Sequence, residues 1–361
     1  MSGGLLARIR LIRSPSIGPV TFRQLLARFG SAEAALTAIP DLAARGGGRA
    51  PSLFSAASAE RELAQVEKLG ARYLALGQGL YPPLLAELSD APPLLIAKGD
   101  FGLFDRQAIG IVGARNASAA ACRFARGLAH DLGQGGMVVV SGLARGIDAA
   151  AHDGAMDSGT IGVVAGGIDI FYPPENEERQ RAMMERGLVI AEMPPGTEPR
   201  ARHFPYRNRI IAGLCAGTVV IEAAPKSGSL ITARLAAEAG REVMAVPGSP
   251  LDPRAQGCNL LIREGATLIQ TAADVVEAIR PLDSRVRSGS ASFDRTLTET
   301  GEADEEARRS VEELLGPSPA PIDELVRLSG LPSGAVQLVL LELDLAGRLD
   351  RHAGGKVSLT A

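Results

Sequence analysis

Between about residue 109 and residue 279 the apolar positions alternate between two textures. Short β-branched runs (Ile109 to Val112, Met137 to Val140, Ile161 to Val164, Thr218 to Glu222, Glu242 to Val246) each end at a small-residue turn. The turns are Gly113-Ala-Arg115, Ser141-Gly142, Ala165-Gly-Gly167, Ser227-Gly228 and Pro247-Gly248. Helical spacing resumes over Ser118 to Leu132, Ile147 to Asp157, Glu175 to Arg186 and Thr232 to Ala239. Near-continuous apolar strands separated by helices predict a parallel sheet covered on both faces, a Rossmann-like α/β fold. The functional site of such a sheet is expected at the carboxyl ends of its strands.

The ends of the chain have a different texture. Residues 1–79 predict short helices: Leu5 to Ile12, Val20 to Phe29, a Ser31-capped run to Ala38, and Ser58 to Leu69 after a loop over 41–52;. A strand-like Arg72 to Leu76 follows. The Ile17-Gly-Pro19 turn is similar to the hairpin of small nucleic-acid-binding helical domains of SAM or helix-hairpin-helix type, and a plain helical interaction domain fits the pattern as well. Tyr81-Pro-Pro and Asp90-Ala-Pro-Pro read as connectors, so the sheet domain is assigned to 80–281. Residues 282–304 lose periodicity and read as a linker. Three helical runs (Glu305 to Leu315, Ile322 to Leu328, Ser333 to Ala346) and a hairpin over Leu349 to Leu359 predict a winged helix in 305–361. Its candidate recognition helix, Ser333 to Ala346, carries only acidic charges, which favours protein contact over DNA reading. Removing 282–361 is accordingly expected to leave the rest folded.

Composition changes this picture at a few points. A chain of 361 residues with 46% hydrophobic content buries a large core;. No apolar run approaches the roughly 18 residues of a membrane span, and no charged-then-apolar leader opens the chain, so a soluble cytoplasmic protein is expected. Cys122, Cys215 and Cys258 fit no metal-ligand spacing and are expected as buried thiols, and the four histidines form no ligand cluster;. No metal is assigned. Nor is a dinucleotide cofactor, because Gly113-Ala-Arg115-Asn-Ala-Ser118 is not GxGxxG and no acid stands where a ribose would need one.

A net charge of -3 argues against a nucleic-acid partner, but its distribution argues the other way;. Arg200, Arg202, Arg207 and Arg209 fall within ten residues that hold no acid and also contain His203, Phe204 and Tyr206. Arg207 and Arg209 flank Asn208 at a helix start, suited to clamp phosphates, with Phe204 available to stack a base. A solvated, charged helix start is the other reading. Arg115 beside Gly113 at a strand end suits phosphate, and so does the helix start at Lys226, Ser227 and Gly228. Gly142 opens a turn that lets backbone approach a ligand. Asp148 and His152 lie one helical turn apart, either as an acid–base pair or with Asp148 answering the helix's positive end or orienting His152; nothing nearby completes a catalytic set, which favours the second reading.

Several stretches together carry a family resemblance: Val112-Gly-Ala-Arg115, Ser141-Gly-Leu-Ala-Arg-Gly-Ile-Asp148 with His152, Gly166-Gly-Ile-Asp169 with Tyr172-Pro173 and Asn176, Phe204-Pro-Tyr-Arg-Asn-Arg-Ile-Ile-Ala-Gly-Leu214, Ser227-Gly-Ser-Leu-Ile-Thr232, and Val246-Pro-Gly248 with Gly257-Cys-Asn259. In this order they resemble the DNA-processing protein A family (DprA, also called Smf) over about residues 80–270. The resemblance implies a non-enzymatic protein that binds single-stranded DNA, protects incoming DNA in natural transformation, loads the RecA recombinase and pairs as a homodimer through its sheet domain. The family's Gly-Ser-Arg turn here has Ala114 in place of serine. The rival class is a nucleotide-hydrolysing enzyme of the phosphoribohydrolase type, but the Pro-Gly-Gly-x-Gly-Thr-x-x-Glu turn it needs is not supplied by Ser227 to Thr232.

Overall fold

The computed structural model describes residues 2–280, 302–352 and 354–360. Its contacts divide the chain into two units: Glu62–Asp283, and Met1–Arg61 together with Ser284–Ala361. The linker expected over 282–304 lies, but for its last three residues, outside the described residues.

The first unit is built on a nine-stranded sheet. In chain order the strands are β1 (Arg72–Ala75), β2 (Leu94–Gly99), β3 (Ala108–Gly113), β4 (Val138–Ser141), β5 (Thr160–Val164), β6 (Leu188–Ala191), β7 (Gly217–Ile221), β8 (Glu242–Ala245) and β9 (Thr267–Leu268). They lie side by side in the order β1-β2-β6-β5-β4-β3-β7-β8-β9. From β6 to β9 all neighbours are parallel, and β2 runs antiparallel to both β1 and β6. The chain steps outward from β3 through β4 and β5 to β6, then returns to lay β7 on the other side of β3. That reversal is the switch point at which doubly wound sheets open a crevice. Strands β4, β5, β6 and β7 are buried at every position, because helices cover both faces;.

Two strands go beyond the sequence reading. The stretch read as a proline connector contains β2, whose Leu94 to Ala97 are fully buried; Pro92 and Pro93 precede its ladder instead of interrupting it;. Strand β6, only four residues long between Gly187 and Pro194-Pro-Gly196, is not among the strands expected from sequence. The unit begins at Glu62, not near residue 80, because the chain just after it already packs on the sheet. Tyr73 donates a hydrogen bond to Glu62 at 2.5 Å, and Val66 shares a core with Ile96 of β2. Cys215 and Cys258 are buried as expected, whereas Cys122 is half-buried on helix Ala119–Gln134. Burial pushes the Cys258 thiol up to about 11. Among the described residues no single helix is long and apolar enough to cross a membrane.

The second unit joins the two ends of the chain. Helices Ser2–Arg13, Pro19–Phe29 and Ala32–Arg45 share a core around Phe22, Leu25 and Ile39. The third of these runs through Pro40 to Arg45, past the predicted end at Ala38, because Leu42 and Ala43 beyond the proline are buried in that core. The winged helix comprises helices Glu305–Leu314, Ile322–Ser329 and Ser333–Leu345 with strands β10 (Ala320–Pro321), β11 (Leu349–His352) and β12 (Lys356–Leu359). Gly354 and Gly355, both at positive φ, lie between β11 and β12.

Helix Ser333–Leu345 is apolar all round, the pattern of a helix covered on every side;. Val336, Val339, Leu340 and Leu343 fill the winged-helix core, while Leu338, Leu341 and Leu345 enter the core of the N-terminal helices. Gly46 allows the close approach, since a β-carbon there would fall 2.2 Å from the Glu342 carbonyl oxygen. The helix's two acids are internal counter-charges. Glu342, with no exposed surface, accepts from Arg308 at 2.8 and 3.0 Å. Asp344 accepts from Thr21 at 2.7 Å and from Arg351 at 2.9 Å.

The expected protein contact of this helix is therefore met within the chain, and residues 282–361 are not dispensable for the N-terminal helices. Leu341→Ala should destabilise this unit by about 3 kcal/mol, the range of a buried leucine truncation. All four tyrosines lie in the sheet unit. In urea titrations, circular dichroism should show an early helical transition while tyrosine fluorescence keeps its midpoint; coincident unshifted transitions would refute the shared core.

Candidate functional site

The carboxyl ends of β3, β4, β5 and β6 deliver their loops to one pocket, lined by Arg115, Gly142, Leu143, Ala144, Arg145, Tyr172, Pro173, Phe204 and Arg207. Its floor is the turn after β4. Leu143 adopts a positive φ of 54°, and the turn's main-chain groups are held by side chains from three directions. Asp148 accepts from the N–H groups of Gly142 (3.1 Å) and Ala144 (3.4 Å). His152 Nε2 accepts from Leu143 N–H at 3.3 Å. Asn176 Nδ2 donates to the carbonyls of Leu143 (2.7 Å) and Ala144 (3.1 Å). The remaining Gly142 carbonyl accepts from Arg207 at 2.8 Å.

Arg207 comes from the first turn of helix His203–Leu214 and is 7% exposed. A β-carbon at residue 142 would sit 1.7 Å from its guanidinium, so glycine is the residue that this approach requires;. Burial pulls the Arg207 pKa down and pushes the Asp148 pKa up, and each charge resists the other's loss. An arginine has far to fall before it deprotonates, so the guanidinium stays charged. Its Nε has no hydrogen-bond partner among the described residues. Asn208 accepts from Arg207 at 3.3 Å and donates to the Gly228 carbonyl at 3.4 Å, tying the pocket to the helix start after β7.

The wall is aromatic and cationic. The Arg115 guanidinium lies 5.2 Å from the centre of the Phe204 ring, and the Tyr172 ring centre lies 5.9 Å from it with the rings tilted by 57°. Arg115 and Tyr172 are exposed, and Phe204 is half-buried. Arg115 is also free of Glu222. That acid, at a φ of 49°, accepts instead from Ser118 N–H (2.8 Å) and Oγ (2.7 Å), while Ser118 caps helix Ala119–Gln134.

Of the residues singled out from sequence, Arg115, Gly142, Phe204 and Arg207 line this pocket. Gly113 lies one step below, paired with Ile221 in the ladder. Arg202 is exposed beside His203, its Nε 3.5 Å from that ring. Lys226 at a φ of 65° and Ser227, which accepts from Ser229 N–H, shape the start of helix Gly228–Glu238. Arg209 departs from the phosphate role given to it. It is 6% exposed, donates to Glu192 at 2.6 Å and faces Asp90 at 3.4 Å. Burial works against its charge, but the two carboxylates outweigh it and hold its pKa up.

Gly142 likewise offers no N–H to a ligand, because Asp148 takes it. Sequence reasoning passed over Arg145 and Tyr172 as site residues, although both stand within stretches that it quoted. Asp148 and His152, for which an acid–base pair is the less favoured reading of the sequence, both hold the turn's main chain, a role the sequence does not suggest. His152 is fully buried; with a backbone N–H on Nε2 its proton sits on Nδ1, 2.8 Å from Thr160 Oγ1, which in turn donates to the Val139 carbonyl;.

Fold and site together define a doubly wound sheet protein whose carboxyl-edge crevice is cationic and aromatic. Comparison with known sequences makes this class particular. The family model for DNA recombination-mediator protein A matches residues 72–280, that for the DprA-like N-terminal HHH domain residues 4–64, and that for the DprA winged helix domain residues 295–355. DNA processing protein DprA of Streptococcus pneumoniae is 46% identical over 198 residues, covering 54% of this chain and 70% of that protein. Its X-ray structure superposes with a TM-score of 0.62 at 34% identity, covering 76% of this chain and 96% of that one. DNA processing protein A of Helicobacter pylori, solved for its single-stranded DNA binding mode, gives 0.52 at 28% identity, covering 57% and 94%. The chain belongs to the DprA/Smf family and has a role in DNA processing and recombination.

Burial of His152 carries a pH signature. Burial first, then the charges of Arg179 and Arg207, lower its pKa from 6.5 to about 3. Between these values the unfolded chain binds a proton that the folded chain refuses. The contribution is thus complete above about pH 6.5 and is lost as pH falls towards 3, by up to about 1.4 kcal/mol per pH unit. Asp148, shifted upward, works in the opposite sense. In urea titrations from about pH 7 to about pH 5, His152→Gln should lose stability less steeply than the parent by about one proton's worth; parallel slopes would refute the neutral, braced His152.

Proposed function

We propose that the carboxyl-edge crevice holds single-stranded DNA. Phosphates lie along Arg115 and the edge of Arg207, and a base stacks beside Phe204. The observation that carries this reading is the half-buried Phe204 ring, with the Arg115 guanidinium and the Tyr172 ring as neighbours, in the same pocket as the buried cation Arg207. Stacking on an aromatic face combined with cationic contacts suits a single strand of any sequence, whereas paired bases would not reach the ring. The single-stranded DNA binding mode of the H. pylori relative supports the same partner.

The reading is of a binding protein and not an enzyme. It is supported by the way Asp148 and His152, the two groups suited to proton transfer, are spent on the main chain of the turn. Protection of incoming strands, delivery to RecA and pairing of two copies belong to the same proposal through the family resemblance. The described geometry bears on the strand-holding step.

Arg115→Ala should leave the fold intact, since the side chain is exposed. It should weaken binding of unrelated oligonucleotides alike and lower the salt dependence by about 0.7 in log–log slope for one lost phosphate contact. Phe204→Ala should cost about 1–3 kcal/mol of affinity with the salt slope unchanged. Fluorescence anisotropy with labelled oligonucleotides at several salt concentrations reads both quantities. Unaltered affinity in both folded variants would move the strand elsewhere.

A further inference from the structure

Resting on the strand-binding reading, we propose that Arg145 and Glu175 form an exchangeable ion pair at the rim of the crevice: Glu175 holds Arg145 until a strand enters, and a phosphate then takes Arg145 over. The two residues are presented by rigid pieces. Arg145 follows the turn that Asp148, His152 and Asn176 pin through its main chain, and Glu175 belongs to the short turn Pro174–Asn176. Buried Asn176 joins the two, since it sits beside Glu175 and donates to the carbonyls of Leu143 and Ala144. The backbones are held while the side chains stay in water, 64% exposed for Arg145 and 60% for Glu175.

Their contact is loose. Nη1 and Oε1 are 3.7 Å apart, beyond hydrogen-bonding distance, and an exposed pair of this kind contributes next to nothing to stability;. The other cations of the crevice are held more firmly, Arg207 by the Gly142 carbonyl and Arg115 over Phe204. The acids on either side are engaged, Glu177 by Arg181 at 2.7 Å and Asp169 by Gly196 N–H at 2.9 Å. A phosphate offers Arg145 two charge-assisted hydrogen bonds in place of one long contact, so the exchange runs towards DNA. Glu175, left without its partner beside a polyanion, opposes the gain. The chain thereby moderates its own affinity.

The test uses the full chain and a labelled oligothymidylate, with anisotropy read over a range of salt. Glu175→Gln should tighten binding about two- to fivefold, the range of exposed ion-pair energies. Arg145→Ala should weaken it and lower the salt slope by about 0.7, with Arg145→Lys retaining the slope. In the Arg145→Ala background, Glu175→Gln should tighten binding less, because only its repulsion of the polyanion is then relieved. Unchanged or weaker binding by Glu175→Gln, or an equal gain with and without Arg145, overturns the exchange. Arg115→Ala, measured alongside, separates the two levels: if it weakens binding while Glu175→Gln does nothing, the crevice stands and the exchange falls. If neither variant changes affinity, the crevice falls as well.

Discussion

The hydrogen bond from the buried Arg207 guanidinium to the Gly142 carbonyl is the contact around which the carboxyl edge of the sheet is arranged. A charge at 7% exposure is costly unless its surroundings answer it, and here the answer is distributed;. Asp148 supplies the opposite charge, the glycine supplies the room, and Asn208 carries the connection across to the turn after β7. Removing one member leaves the others charged or unpaired. A buried charge left without its countercharge is costly, so the same groups that shape the crevice also set its stability.

That dependence explains what could be read in the sequence. The parallel sheet was legible because the period of the apolar runs reports burial on both faces, which Val138 to Val140 and Thr218 to Ile221 satisfy at every position. Strand β2 was hidden because proline was taken as a break where it stands outside the ladder. At the site, Arg115, Phe204 and Arg207, singled out by residue type, line one pocket, but residue type alone does not tell a phosphate ligand from an internal tether. Arg207 and Arg209, two positions apart in one helix, face different environments: one borders the pocket, and the other is closed between Glu192 and Asp90. Nothing in the local pattern separates them, because the carboxylates that capture Arg209 come from distant parts of the chain.

Net charge misled for a related reason. The sum does not say where charge stays exposed, because acids and arginines are neutralised in pairs inside the fold: Glu342 with Arg308, Asp344 with Arg351, and Glu192 with Arg209, while Asp148 accepts from the turn that it braces. The cations of the crevice rim keep their exposure. A protein of formal charge -3 thus keeps exposed arginines, Arg115 and Arg145, at its crevice, and two of the winged helix's acids, Glu342 and Asp344, are answered inside the chain.

Because Leu338, Leu341 and Leu345 are keyed into the core of helices from the other end of the chain, the two termini belong to one body, and the sheet unit is in effect an insertion into it. A protease that cuts once between residues 281 and 301 would sever the polypeptide without releasing its tail. The fragments would stay together through the shared core and travel as one species until denatured, so a nicked molecule would look intact by size in native solution and fall into two pieces only in detergent.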